Sequence, residues 1–100
     1  MTVWHNKAPP RNGFYWVRVT RPKGANNPGL ENYCRFRDGE DVSLPFVVLI
    51  RPNITSSKRC FVVLGFDFET PIDVCEKQQL YTHAFLKCKL EWAGPILLPE

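Results

Sequence analysis

Two almost unbroken apolar runs, Leu44-Pro45-Phe46-Val47-Val48-Leu49-Ile50 and Cys60-Phe61-Val62-Val63-Leu64-Gly65-Phe66, set the strongest limit on what this chain folds into. Each is far shorter than the roughly 20 apolar residues of a membrane helix. Each is rich in β-branched and aromatic side chains, which fit a pleated strand. Between them lies the polar stretch Arg51-Pro52-Asn53-Ile54-Thr55-Ser56-Ser57-Lys58, so the two runs are predicted to form a hairpin. A strand that is apolar at consecutive positions is covered on both faces. A helix, the closure of a small barrel or a second copy of the chain would each supply the second cover.

The remaining elements follow from period and punctuation. Gly13-Phe14-Tyr15-Trp16-Val17-Arg18-Val19-Thr20 reads as a strand with Tyr15, Val17 and Val19 on its core face. Phe14, Trp16, Arg18 and Thr20 then share the other face. The Pro- and Gly-rich stretch Arg21–Glu31 is a loop longer than most connections. Asn32–Arg37 is predicted as the next strand, with Cys34 and Phe36 inward and Tyr33, Arg35 and Arg37 outward, and Asp38-Gly39-Glu40-Asp41 as a turn. Thr70-Pro71-Ile72-Asp73 carries a helix-start pattern: a threonine cap, proline at the first helical position and an acid at the third. A short helix is expected from there to Leu80. From Ala84 the period becomes two, with Leu86, Cys88, Leu90 and Trp92 alternating with Lys87, Lys89 and Glu91 in a last amphipathic strand.

These elements define a mainly β chain: a small bent sheet or SH3-like barrel of about five strands, with one short helix before the last strand. An OB-fold would place its helix between strands three and four, and a split α+β sheet is the third architecture. Residues 1–12, broken by Pro9 and Pro10, read as an extended arm that either frays or lies against the body through Trp4. Residues 13–95 form a single β-rich domain and residues 96–100 a short apolar tail. One hundred residues are enough for one core without metal or disulfide staples.

The cysteines, Cys34, Cys60, Cys75 and Cys88, form no Cys-x-x-Cys pair and sit among apolar neighbours. They read as reduced core thiols; a zinc site with His5 or His83, and disulfides, are the competing uses. The opening Met1–Lys7 has no apolar stretch of the secretory kind, so a cytoplasmic location is expected. No phosphate-binding glycine loop or nucleophile motif occurs, and the acidic cluster Asp38–Asp41 reads as a solvated hairpin tip, so the chain is not expected to be an enzyme or to need a cofactor or metal. The third reading, a small enzyme using His83 or a cysteine thiolate, has no motif behind it.

Charge is distributed unevenly. Residues 1–37 hold seven Lys/Arg and one acid, a net +6, whereas residues 38–100 hold six basic and nine acidic residues, a net −3. If the first two predicted strands pair, Phe14, Trp16 and Arg18 share a face with Tyr33, Arg35 and Arg37, and the loop adds Arg21 and Lys23. Aromatics beside arginines are the composition of protein-interface hot spots and of surfaces that stack single-stranded nucleic acid. Phe14 and Trp16 as a second core layer is the structural alternative.

The ends of the chain, Gly13-Phe14-Tyr15-Trp16-Val17-Arg18 and Trp92-Ala93-Gly94-Pro95-Ile96, resemble small accessory proteins encoded by phages and prophages. That resemblance spans some fifteen residues and carries no catalytic residue. It implies a non-catalytic protein of a mobile element that binds and inhibits a bacterial host protein or ribonucleoprotein complex, in the manner of anti-CRISPR proteins, within the host cytoplasm and without a membrane. An SH3-like or OB-like module that holds nucleic acid on its basic aromatic face is the rival reading.

Overall fold

A computed structural model describes residues 2–23, 29–66, 69–72, 85 and 88–97. They are organised around five antiparallel strands: β1 (Gly13–Thr20), β2 (Phe46–Pro52), β3 (Arg59–Val63), β4 (Glu69–Pro71) and β5 (Lys89–Ala93). The sheet order is β4-β3-β2-β1-β5. The sheet is open: β4 and β5 lie at opposite edges, and no ladder joins them among the described residues. The bent-sheet form of the expected fold is therefore present and the closed SH3-like barrel is not. The outer edge of β5 is instead met by the arm, where His5 and Trp92 exchange two backbone hydrogen bonds of 2.8 Å each.

β2 and β3 form the expected hairpin, with Val48 opposite Val63 and Ile50 opposite Phe61. Its connecting loop is held by the Asn53 side chain, whose Oδ1 accepts from the backbone N–H of Thr55 (2.9 Å) and Ser56 (3.1 Å). This is an Asx-type turn, in which a short polar side chain stands in for backbone. β1 joins the hairpin through β2, with Tyr15 opposite Val48 and Val17 opposite Phe46, and β5 through Val17 opposite Trp92.

Alternation divides the sheet into two faces. On the inner face Tyr15, Val17, Val19, Val48, Ile50, Phe61, Val63 and Trp92 are buried in one cluster, with Phe61 edge-on to Trp92 at 5.6 Å. Leu30, Cys34, Phe85 and Cys88 close this cluster. On the outer face Val47, Leu49 and Val62 are only half-buried. The apolar runs thus carry one fully covered face and one partly covered face.

Two predicted elements are corrected. The stretch Asn32–Arg37 is not a strand. The chain leaves Gly29 (φ 81°) into a tight 3-10 turn over Leu30–Asn32. The N–H groups of Asn32, Tyr33 and Cys34 return to the carbonyls of Gly29 and Leu30. With their donors used locally these residues have none for a ladder, and only an isolated bridge, Phe36 with Ser43, remains. Thr70 does not cap a helix and Pro71 does not begin one. Both lie in β4, Thr70 buried opposite Phe61. Pro71 sits in a strand at the sheet margin, a position where a missing N–H is tolerated. Ile72 follows in a turn, and the rest of the predicted helix, 73–80, lies outside the described residues. Among those described, the one helical segment is the 3-10 turn, and no helix is long and apolar enough to cross a membrane.

The two faces make a paired test. Val48 is fully buried, so Val48→Asp places an unpaired charge in the core at a cost of several kcal/mol, comparable with a total stability of about 5–15 kcal/mol. Cooperative thermal unfolding, followed by circular dichroism, is expected to disappear. Val62→Asp, on the half-covered face, is expected to lower the melting temperature while leaving a folded protein. A Val48→Asp protein that melts like the wild type would contradict the assignment of the inner face.

Candidate functional site

The expected joint face of aromatics and arginines is not formed. β1 pairs with β2 and β5, never with the segment that carries Tyr33, Arg35 and Arg37. Phe14 lies opposite Leu49, and Trp16 opposite Val47 and Ala93, so both project from the outer face. Trp16 is 42% exposed. Tyr33, by contrast, packs on the inner cluster, its ring 5.1 Å from Phe66 and 5.4 Å from Phe85. Leu30 and Cys34 on either side of it are core residues of that same inner face. The segment bearing Arg35 and Arg37 therefore lies on the opposite side of the sheet from Phe14 and Trp16.

Arg18 is committed to the fold. Its guanidinium forks onto Glu91, Nε to Oε1 at 2.9 Å and Nη2 to Oε2 at 3.1 Å, across the β1–β5 pair. Its guanidinium carbon also lies 4.5 Å from the centre of the Trp4 ring. Trp4, Arg18 and Glu91 thus fasten the arm to the sheet, next to the His5–Trp92 bridge. The arm is tied a second time where the guanidinium of Arg59 donates to the Pro9 carbonyl and the Tyr15 hydroxyl donates to the Arg11 carbonyl at 2.9 Å.

The other arginines meet in a groove of about 290 Å³ lined by Arg21, Arg35 and Arg37, with Glu31 and Asp38 on its walls and Cys34, Phe36 and Gly39 completing it. Its frame is rigid for a surface loop. Ser43 N–H donates to the Val19 carbonyl, and the buried Ser43 hydroxyl accepts from Val19 N–H, both at 2.8 Å. Leu44 N–H donates to the Arg35 carbonyl at 2.7 Å. Arg37–Glu40 closes as a β-turn through Glu40 N–H on the Arg37 carbonyl at 3.0 Å, with Gly39 at φ 76° supplying the left-handed residue that such a turn needs.

The three guanidiniums are unequally engaged. Arg21 stacks over Phe36, 4.3 Å from the ring centre, with Nε on Asp41 Oδ1 and Nη2 on the Glu40 carbonyl, each at 3.2 Å. Among the described residues, Arg35 donates only to the Glu31 backbone carbonyl, at 3.1 Å. Arg37 is exposed and meets no acceptor among the described residues. Lys23 is exposed near the start of the preceding loop. Cys34 lies at the back of the groove. Burial, reinforced by the neighbouring Cys88 thiol, pushes its pKa up to about 12, and its Sγ lies 3.6 Å from the Leu30 carbonyl.

A second charged cluster belongs to the fold. Arg51 Nη1 lies 2.6 Å from Glu69 Oε2, which also accepts from Ile54 N–H at 3.2 Å and from Cys60 Sγ at 3.4 Å. Burial raises the pKa of this carboxyl, but the donors from Arg51, Cys60 and Ile54 outweigh it and hold the group below its usual range. Among the described residues no three His, Cys, Asp or Glu side chains are placed to hold a metal. Cys34 and Cys60 are buried free thiols, and Cys88 is buried in the same core. Cys75 and His83 lie outside the described residues. Compared with protein-family models, with characterised proteins and with solved structures, the chain matches none.

Sequence reasoning singled out Arg21, Arg35 and Arg37 but grouped them with the wrong aromatics. It missed Glu31, Phe36 and Asp38 as parts of one groove, and Trp4 and Glu91 as the partners that occupy Arg18. The Asp38-Gly39 pair was the available signal, because it turns Arg37 back toward the segment that precedes it.

Two measurements check these assignments. Arg18→Ala removes a part-exposed ion pair worth about 0–1 kcal/mol and a ring contact worth about 0.5–1 kcal/mol. It is expected to cost roughly 1 kcal/mol of stability and to speed hydrogen exchange at the His5 amide; unchanged exchange there would remove Arg18 from the arm's fastening. For Cys34, the unfolded thiol ionises near its ordinary value of 9.0 while the native thiol holds its proton to about 12. Above pH 9 the unfolded chain binds fewer protons, so stability falls as pH rises through that window. Urea titrations at about pH 8 and about pH 10.5 are expected to show a smaller loss for Cys34→Ala than for the wild type.

Proposed function

We propose that the chain is a non-catalytic, mobile-element-type protein that binds a bacterial protein complex at an acidic surface and thereby inhibits it, with Arg35 and Arg37 as its principal contacts. The observation that carries this reading is the groove itself. Two arginines stand on a hydrogen-bonded frame with no carboxylate paired to either among the described residues. Guanidinium groups stay protonated at all ordinary pH and so offer charge and fork geometry, not proton transfer. That favours recognition over catalysis. Charge complementarity steers such partners together and discriminates among them.

The separation of arginines from exposed aromatics bears on the choice of partner. Base stacking needs an open ring beside the basic groups. Here Phe36 is covered by Arg21, Tyr33 is packed against Phe66 and Phe85, and Trp16 projects from the other face. A protein partner therefore suits the geometry better than a nucleic acid strand.

The test is retention of bacterial lysate proteins on the immobilised chain, with and without nuclease, for the wild type and for the Arg35→Glu/Arg37→Glu double variant. Both side chains are exposed, so the variant is expected to fold and melt as the wild type does. Specific retention is expected to survive nuclease and to drop more than tenfold in the variant, because like charges then face the acidic surface. Retention that vanishes with nuclease would transfer the function to nucleic acid, and full retention by the variant would remove the groove from it.

A further inference from the structure

We infer that the groove is a socket for a single carboxylate side chain, Glu or Asp, presented by an extended segment of the partner; this rests on the proposed function and specifies what the groove takes. Two features of its lining set the ligand's charge. Arg21 is already matched by Asp41. Glu31 and Asp38 line the groove beside Arg35 and Arg37 without pairing to either. The lining therefore offers unfilled guanidinium donors while its carboxylates repel an excess of negative charge.

A lone carboxylate satisfies both conditions, since it accepts two parallel N–H bonds from a guanidinium fork and brings one negative charge. A phosphate group carries up to two charges and would stand against two fixed carboxylates. A phosphodiester chain would bring a run of charges into a space of about 290 Å³.

The structure also supplies preorganisation. Arg35 is anchored by its own carbonyl, which accepts from Leu44 N–H, and by Nη1 on the Glu31 carbonyl. Arg37 starts the Gly39 turn, so its backbone is held while its side chain is exposed. Docking one carboxylate then orders one long side chain rather than several, which limits the entropic cost of binding.

The probe is a capped pentapeptide, Gly-Gly-Glu-Gly-Gly, set against its Gln analogue and its phosphoserine analogue and titrated into the full chain. Binding is read from the Arg Nε–H signals and the backbone amides of Phe36–Glu40 by NMR. The Glu peptide is expected to shift the signals of Arg35 and Arg37 saturably. The Gln peptide is expected to leave them in place, and the phosphoserine peptide to bind no tighter than the Glu peptide. Arg37→Gln is expected to weaken the Glu peptide at least fivefold. Equal shifts from Glu and Gln peptides, no shift from the Glu peptide, or phosphoserine binding more than tenfold tighter would each overturn the socket. The lysate experiment fails separately. A partner lost on the double Arg→Glu change while the Glu peptide leaves the groove untouched would sink the socket and keep the function; a bound Glu peptide with unaffected retention would do the reverse.

Discussion

The inner face of β1 and β2 has to be covered, and the rest of the described structure depends on how that is done. Val17, Val19, Val48 and Ile50 are fully buried there, although the sheet alone would leave them open to water. At roughly 25 cal/mol per Å² of apolar surface, exposing that face would remove most of the driving force for folding. Part of the cover comes from the irregular segment that begins at Leu30. Its 3-10 turn inserts Leu30 and Cys34 into the core, and Tyr33 leans on Phe66 and Phe85. Because this cover is irregular, its backbone groups must be satisfied one at a time. The bonds from Ser43 to Val19, from Leu44 to Arg35 and from Glu40 to Arg37 do so. The groove is a by-product of the same bonds, since they turn the chain so that Arg21, Arg35 and Arg37 converge.

Much of the sheet was legible in the residues. β1 begins and ends where the aromatic and β-branched run Gly13–Thr20 does, because period-two alternation with a buried face specifies both element and orientation. The hairpin of β2 and β3 follows from two apolar runs around a polar loop, and β5 from the second half of the alternation that ends at Trp92; the strand expected from Ala84 begins only at Lys89, because Phe85 lies in a turn whose carbonyl accepts from Cys88 N–H. Legibility fails where local pattern and tertiary demand conflict. Cys34 and Phe36 alternate with arginines as a strand would, yet Gly29 and the 3-10 turn use up the donors upstream. Thr70-Pro71 has the chemistry of a helix start, yet pairing with Cys60 and Phe61 draws both residues into β4. A local turn in the first case, and a pairing across the sheet in the second, outweighs a preference of about 1 kcal/mol.

The same conflict explains why the candidate site was read only in part. The arginines were visible, but charge in a sequence does not say which guanidiniums are already engaged. Arg18 and Glu91 are 73 residues apart, and only the β1–β5 pairing puts them opposite each other. Arg21 and Asp41 meet because Arg21 N–H donates to the Asp41 carbonyl, which prolongs the edge of β1 beyond Thr20. These pairs remove two of the six basic residues between positions 11 and 37 from the pool available to a partner. The basic first third thus separates into positive charge that holds the fold together and positive charge left facing solvent.

That separation has a consequence for how the surface could change in evolution. Arg35 and Arg37 hold the frame through their backbone carbonyls, which accept from Leu44 N–H and Glu40 N–H. Replacing either side chain leaves the Leu44 and Glu40 bonds in place, so recognition is free to vary while the frame stays the same. Arg18 has no such freedom, because losing it unpairs Glu91 and releases the ring of Trp4 together. A binding surface built on backbone-anchored loops over a rigid sheet is the arrangement in which specificity changes most readily.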